Sequence, residues 1–172
     1  MVSFDVVNLY TTIPHEYGLT AIEFWLEKFP SEVPDRIEKK FIIEGIKFIL
    51  QNNYFNFNGE SYRQISGTAM GTKVAPTYAN LVMAYLETQM YERSKLQFGS
   101  QFHKYILDNW KRYLDDCFIL WTSSLEKLNE FRNLINDINK SIQFTMEFSD
   151  KQLPFLDILI TESISCDALL QF

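Results

Sequence analysis

Three aspartates stand among apolar neighbours in this sequence. Asp5 follows Phe4 and precedes two valines, and Asp115 and Asp116 are adjacent between two apolar flanks. A carboxylate in such surroundings must be hydrogen-bonded, paired or metal-bound, because burying a bare charge is costly. Three acids in one patch repel one another unless cations lie between them. Two Mg²⁺ ions, which prefer oxygen ligands, would satisfy all three, and could activate a hydroxyl and stabilise a leaving phosphate group.

The same residues have plainer explanations. An Asp-Asp pair at a hairpin is commonly turn chemistry, because Asp tolerates turn geometry, and a hydrogen-bonded Asp in a strand is ordinary. A Mg²⁺-dependent phosphatase or nuclease would also use such acids. Only the order and spacing of the segments that separate Asp5 from Asp115 can distinguish these alternatives.

Periodicity and turn residues predict the elements that would bring the acids together. In order, they are a strand at 1–7, helices at about 15–29 and 35–51, strands at 54–57 and 60–65, a helix at about 75–95, two strands joined by a turn at about 110–121, a helix at 124–140, and strands at 143–148 and 155–161. Asn58-Gly59 is the pair favoured at a type I′ turn. We predict an α+β fold, with helices packed on one face of an antiparallel sheet.

Composition and charge limit the possible classes of protein. A chain of 172 residues that is 47% hydrophobic and has no linker or repeat predicts one domain with its own core. No apolar run reaches the ~20 residues of a membrane-spanning helix. Cys117 and Cys166 are too few for a disulfide framework, which predicts reduced thiols in an intracellular protein. The net charge of −6 taken alone favours a protein-interaction module, because nucleic-acid enzymes usually present a basic face.

Four segments nevertheless resemble, in order, the palm motifs of reverse transcriptases. They are an Asp followed five residues later by an aromatic (4–14), a Gly-containing loop at 67–71 that opens a long helix (64–80), a Tyr-x-Asp-Asp signature (112–118), and a strand segment (153–160). The sequences Ala69-Met-Gly-Thr and Phe155-Leu-Asp-Ile are most similar to those of Penelope-like retroelement polymerases. Because the segments span nearly the whole chain, the likeness is far more specific than an Asp-Asp pair.

The resemblance implies a right-hand polymerase palm that performs RNA-directed DNA synthesis. Its cofactor would be two Mg²⁺ ions, for which Mn²⁺ could substitute. Asp5, Asp115 and Asp116 would be the catalytic, metal-binding carboxylates, and the carbonyl of Val6 would complete the coordination of one metal. The implied partners are an RNA template, a DNA primer and a deoxynucleoside triphosphate.

The resemblance also implies substrate contacts, at Val6 and at five further residues. Tyr10 would lie beneath the incoming sugar and exclude a 2′-hydroxyl, and Met70 and Gly71 would lie against the nucleotide and template. Tyr113 would border the primer end, and Lys151 matches a lysine that protonates pyrophosphate. Each also has a structural alternative. Tyr10 could be a core aromatic, and Met70 and Gly71 could simply begin a helix. Tyr113 could be a structural Tyr before a turn, and Lys151 a solvated surface residue. Retroviral enzymes carry Gln where Met70 stands, whereas Penelope-like sequences accept Met.

By the same resemblance, residues 1–172 are expected to be a partial palm domain. A basic fingers segment would precede it and a thumb would follow it, so the chain alone is expected to be weakly active or inactive. An alternative from a different class is a catalytically inactive retroelement relic or interaction module. A retroelement enzyme acts on chromosomal targets, so a nuclear location is compatible with this function, but the sequence shows no nuclear targeting signal.

Overall fold

Alternating apolar residues in short strands, and apolar residues three or four apart in helices, build a mixed α+β structure. The computed structural model describes residues 1–162. Its elements are β1 (Val2–Val6), α1 (Leu9–Thr12), α2 (His15–Lys28), a 3-10 helix (Pro30–Glu32), α3 (Lys39–Gln51), β2 (Tyr54–Phe57), β3 (Glu60–Arg63), α4 (Ala75–Phe98), α5 (Ser100–Asn109), β4 (Lys111–Tyr113), β5 (Asp116–Ile119), α6 (Leu125–Asn136), β6 (Phe144–Phe148), β7 (Gln152–Phe155) and β8 (Ile158–Thr161). Within these residues, no helix combines the length and apolar character needed to cross a bilayer.

The central sheet has four antiparallel strands in the order β4-β5-β1-β6. The first strand in the sequence therefore lies between two strands that come more than a hundred residues later. Val2 pairs with Ile119 and Asp5 pairs with Asp116. This register places Asp5, near the start of the chain, directly beside Asp116.

One face of the central sheet forms part of the hydrophobic core. Its buried side chains are Val2, Phe4, Val6, Cys117, Ile119 and Phe144. Phe131 of α6 meets Phe4 edge-on, with 6.2 Å between ring centroids, and α4 contributes Met83, Leu86 and Met90 to the same core. Close edge-to-face aromatic packing of this kind stabilises the core beyond the burial of area alone.

Helices α2 and α4 cross at a glycine. A Cβ at Gly18 would lie 1.7 Å from the hydroxyl oxygen of Tyr78, which is buried in α4. The absence of a side chain at residue 18 therefore permits this close approach. The crossing fixes α2, and with it the segment that joins β1 to α2, against the helix that follows the 67–71 loop.

The predicted α+β fold with an antiparallel sheet is confirmed, and the face of the sheet opposite the buried one carries a feature that was not predicted. There the ring of Phe118 meets Phe155 of β7, with 5.4 Å between centroids. The predicted single strand at 155–161 is wrong, because β7 and β8 form an antiparallel hairpin in which Phe155 pairs with Ile158. The chain turns at Leu156, whose φ is 52°.

Other boundaries differ by a few residues or by one element. The predicted second helix begins at Lys39 rather than near residue 35, and α6 ends at Asn136 rather than near residue 140. Helix α5 was not predicted at all; Gly99, with φ of 87°, separates it from α4. The Asn58-Gly59 turn is confirmed, since both residues have positive φ as a type I′ turn requires.

Candidate functional site

Two of the three aspartates face each other across neighbouring strands. Asp5, near the end of β1, is the direct partner of Asp116, the first residue of β5. Asp115 lies in the turn between β4 and β5, and its carbonyl accepts a hydrogen bond of 3.2 Å from the backbone N–H of Val6. The sheet thus brings together Asp5 and Asp116, which are 111 positions apart in the sequence.

The acids are not buried in the core, contrary to the expectation from their apolar neighbours. Side chains alternate between the two faces of a strand, so Phe4, Val6 and Cys117 point inward and are buried. Asp5 is exposed and Asp116 is half-buried on the opposite face. The apolar neighbours therefore support the strands and do not surround the carboxylates.

Like charges at this end of the sheet act on one another. Burial and, after it, the charge of Asp115 raise the pKa of Asp5. Burial raises the pKa of Asp116 most, and the charges of Asp115 and Asp5 add to that increase. Carboxylates so placed attract a cation, although among residues 1–162 no group of three or more His, Cys, Asp or Glu side chains is arranged so as to hold a metal ion.

Tyr10 and the 67–71 loop meet directly. The backbone N–H of Thr68 donates to the Tyr10 carbonyl at 2.6 Å, and the N–H of Gly67 donates to the Ile13 carbonyl at 3.1 Å. The Nε2 of His15 donates to the carbonyl of Gly67 at 2.8 Å. The segment after β1 and the loop before α4 are therefore held as one unit, with Tyr10 half-buried against the core.

The loop presents Met70 to solvent beside an open cleft. Met70 is 69% exposed. The cleft has a volume of about 530 Å³ and is lined by Thr11, Phe55, Arg63, Gln64, Ile65, Ser66, Thr68, Ala69 and Met70. A Cβ at Gly71 would have no atom within 4 Å, so contacts within the described protein do not explain why residue 71 is a glycine.

Tyr113 lies next to the acids, and Lys151 lies in a different element. Tyr113 pairs with Asp116 across β4 and β5 and is 61% exposed. Lys151 is exposed and directly precedes β7, and its backbone carbonyl accepts a hydrogen bond from Glu162. In the part of the chain that the structure describes, no salt bridge joins Lys151 to the three aspartates. Cys117 is a buried free thiol whose pKa is raised, chiefly by burial, and Cys166 lies outside the described residues.

Two residues with a direct connection to the site were missed by sequence reasoning. Arg112 and Glu87 form an ion pair beside the Asp115 turn, and both side chains are 13% exposed. The sequence carries little signal for them, because Arg112 is one of two basic residues in β4 and Glu87 is one of four charged residues in α4. Their pairing cannot be read from the sequence, because 25 residues separate them.

Comparisons with known proteins show a similarity in fold only. No protein-family model matches the sequence, and no curated protein is similar to it. The fold is similar to that of apo telomerase from Candida tropicalis, truncated from its C-terminal domain, with a TM-score of 0.63 and 15% identity over 93% of this chain and 33% of that chain. This chain therefore spans about a third of the telomerase chain. What the two share is a mixed α+β arrangement with antiparallel sheets.

Proposed function

We propose that this chain is the palm of a reverse transcriptase of the Penelope-like kind, and that it transfers a nucleotide to the 3′-hydroxyl of a primer on an RNA template. The observation that carries the proposal is the register of β1 and β5. It sets Asp5 opposite Asp116, with Asp115 in the adjoining turn. Acids that approach only through the fold are typical of a catalytic site.

The similarity of the fold to a telomerase supports the same class of activity, because telomerase is itself related to the reverse transcriptases. The order of the segments supports it further. The acid strand, the loop and long helix, and the Asp-Asp turn follow one another as in the palm motifs, and the structure joins the first two through the hydrogen bond between Thr68 and Tyr10.

Under this proposal the carboxylates of Asp5, Asp115 and Asp116 and the carbonyl of Val6 would hold two Mg²⁺ ions. The bound ions would supply an activated hydroxyl and charge neutralisation at the departing pyrophosphate. The solvent-facing position of the acids fits this role, since a primer end must reach them. The raised pKa values of Asp5 and Asp116 also fit: burial is the larger cause, the charge of Asp115 adds to both, and a cation relieves repulsion between carboxylates.

The remaining residues have roles in positioning substrate. Tyr10 would lie beneath the sugar, where its ring would exclude a 2′-hydroxyl, and its carbonyl bond to Thr68 fixes the loop beside it. Met70 and Gly71 would line the place for the base, and the open space around Gly71 is compatible with close approach of a ligand. Tyr113 would border the primer end. Lys151 would be the proton donor to pyrophosphate, and its role has the least support.

One observation favours the alternative of a catalytically inactive relic. Within residues 1–162 the acids are not arranged as a ready metal site. An inactive protein would keep the fold while losing this arrangement. The two candidates differ in whether Mg²⁺-dependent extension occurs at all.

Primer extension on an RNA template tests the proposal. The chain is assayed by itself and, in parallel, together with any flanking segments that its gene encodes, in Mg²⁺ and in Mn²⁺. We expect metal-dependent extension that falls by about 100-fold or more in Asp115→Asn, because a charge that stabilises the transition state is lost. Asp35→Asn, at an exposed aspartate between the 3-10 helix and α3, should retain full extension.

Three other results would contradict the proposal. Equal extension by Asp115→Asn would remove the catalytic assignment. Absence of extension in both forms of the protein would establish the inactive alternative. Release of phosphate from nucleotides without a primer, dependent on the same aspartates, would identify a hydrolase instead.

A further inference from the structure

The guanidinium of Arg112 is bound on three sides. Its Nε and Nη2 donate to the two carboxylate oxygens of Glu87 at 2.8 and 3.2 Å. Its Nη1 donates to the side-chain oxygen of Asn80 at 2.8 Å and to the backbone carbonyl of Leu114 at 3.1 Å. The indole N–H of Trp110 also donates to Glu87, at 2.9 Å. One side chain therefore joins the long helix to the turn that carries Asp115.

The helix side of this network is rigid. Asn80 and Glu87 are seven residues apart, so they lie two turns apart on the same face of α4. A bidentate Arg–carboxylate pair has fixed geometry. Because both side chains are only 13% exposed, solvent screens the pair less than it screens an exposed one, and loss of either partner would leave an uncompensated charge.

The turn side of the network needs an external support. Leu114 has φ of 55°, a region in which a residue with a Cβ is strained. Its carbonyl is the one that Arg112 binds, and the carbonyl of the next residue, Asp115, accepts from the N–H of Val6. The turn is thus held from α4 on one side and from β1 on the other.

We propose that Arg112, anchored by Glu87, is a positioning residue that fixes the Leu114–Asp115 turn and so sets the Asp115 carboxylate against Asp5. The inference rests on the proposed function for its catalytic consequence, but its structural content is independent of that function. An ordinary structural ion pair would stabilise the whole sheet. A positioning pair controls the turn more than the sheet.

Hydrogen exchange distinguishes these two roles without metal or activity. The variants are Arg112→Lys, which keeps the charge but cannot make all of these contacts at once, and Arg93→Lys as a matched control. Arg93 forms an exposed ion pair with Asp137 elsewhere on the molecule. In Arg112→Lys we expect the exchange protection of the Val6 amide to fall by about tenfold or more, while Ser3 and Phe4 in β1 keep theirs. Arg93→Lys should change none of them.

Two results would overturn the inference. One is unchanged protection of Val6 in Arg112→Lys. The other is an equal loss of protection along the whole of β1 together with a fall in melting temperature, which would identify Arg112 as a general stabilising residue. Glu87→Gln should reproduce the effect of Arg112→Lys on Val6, since it weakens the anchor.

Primer extension then separates this inference from the proposed function. If extension occurs, Arg112→Lys should lower kcat by about tenfold with KM for the nucleotide changed less than twofold. Unchanged kcat in a variant whose Val6 amide has lost protection would limit Arg112 to shaping the turn and would overturn its catalytic consequence. If neither the chain alone nor the chain with its flanking segments extends a primer while the Val6 result holds, the proposed function fails and the positioning of the turn stands.

Discussion

At the scale of single residues, Asp5 and Asp116 form a like-charged pair that opposes folding. Like charges directly opposite on antiparallel strands are destabilising. In the described part of the chain, the salt bridges of Arg93, Arg112 and Lys140 are made with other acids, so neither aspartate of the pair is neutralised in this way. A protein keeps such a pair where function, rather than stability, selects the residues.

The pair predicts that Asp116→Asn stabilises the protein at neutral pH when a chelator removes divalent metal. The pKa of Asp116 is raised in the folded state, so the folded state holds this proton more tightly than the unfolded state does. Stability is therefore lost as the pH rises from the ordinary carboxyl pKa through the raised one. Because Asp116 is only half-buried and solvent screens its charge, we expect an increase in melting temperature of only about 1–2 °C.

Thermal unfolding followed by circular dichroism over a pH series checks this prediction. The difference between Asp116→Asn and the natural sequence should shrink as the pH falls through the raised pKa towards the ordinary one. Asp35→Asn controls for the change in net charge alone. A lower melting temperature for Asp116→Asn at neutral pH would mean that the carboxylate stabilises the fold and that repulsion does not dominate.

At the scale of elements, the 67–71 loop and the segment after β1 depend on one glycine. Gly67 has φ of 70°, and a Cβ there would lie 2.3 Å from the Tyr10 carbonyl oxygen and 2.5 Å from the Cα of Thr11. Both obstacles are backbone atoms, which cannot move aside as the end of a flexible side chain can. Gly67 is thus required for the contact that brings Tyr10 beside the loop.

We expect Gly67→Ala to lower the free energy of unfolding by about 2–4 kcal/mol, from the left-handed conformation and the backbone clash together. Gly71→Ala is the matched control, because a Cβ there meets no atom within 4 Å, and its effect should stay within about 0.5 kcal/mol. Urea unfolding of the two variants and the natural sequence measures the difference. Similar stability of Gly67→Ala and the natural sequence would mean that the loop adopts another conformation.

The elements that could be predicted are those with strong local signals. The Asn58-Gly59 hairpin and the α4 start at Ala75-Pro76 have dedicated turn and cap residues. The β7–β8 hairpin was missed because its turn uses Leu156 at φ of 52°, where neither Gly nor Asn marks the reversal. Local residues predict a turn only when the turn needs those residues.

The candidate site also has residues that could be predicted from the sequence and residues that could not. The order of the motifs predicted the three aspartates, whereas their exposure depended on which face of β1 packs against α6. The Arg112–Glu87 pair could not be predicted, because it exists only once α4 lies beside β4. Candidate residues for chemistry can be singled out in the sequence, but the residues proposed to position them are found only from tertiary packing.

At the scale of the whole molecule, charge limits what the chain can do by itself. Phosphate contacts by Lys and Arg supply most of the affinity of proteins for nucleic acid, and this chain has a net charge of −6. It also spans about a third of the telomerase chain whose fold it resembles. Under the proposed function, a palm with this charge would present its acids to a primer end while contributing little to the binding of the duplex.

We therefore expect the 172-residue chain to bind a primer–template duplex weakly, with a Kd of roughly 10⁻⁵ M or weaker near physiological salt and a shallow salt dependence. Fluorescence anisotropy over a salt series measures both quantities. Arg63 lines the open cleft beside Met70, so Arg63→Gln should weaken binding by a further few-fold, as expected for the loss of one phosphate contact. Arg36→Gln, an exposed arginine before α3, should have no such effect. Nanomolar binding with a steep salt dependence would instead reveal a strong phosphate-binding surface on this chain, and the net charge would then be a poor guide to its function.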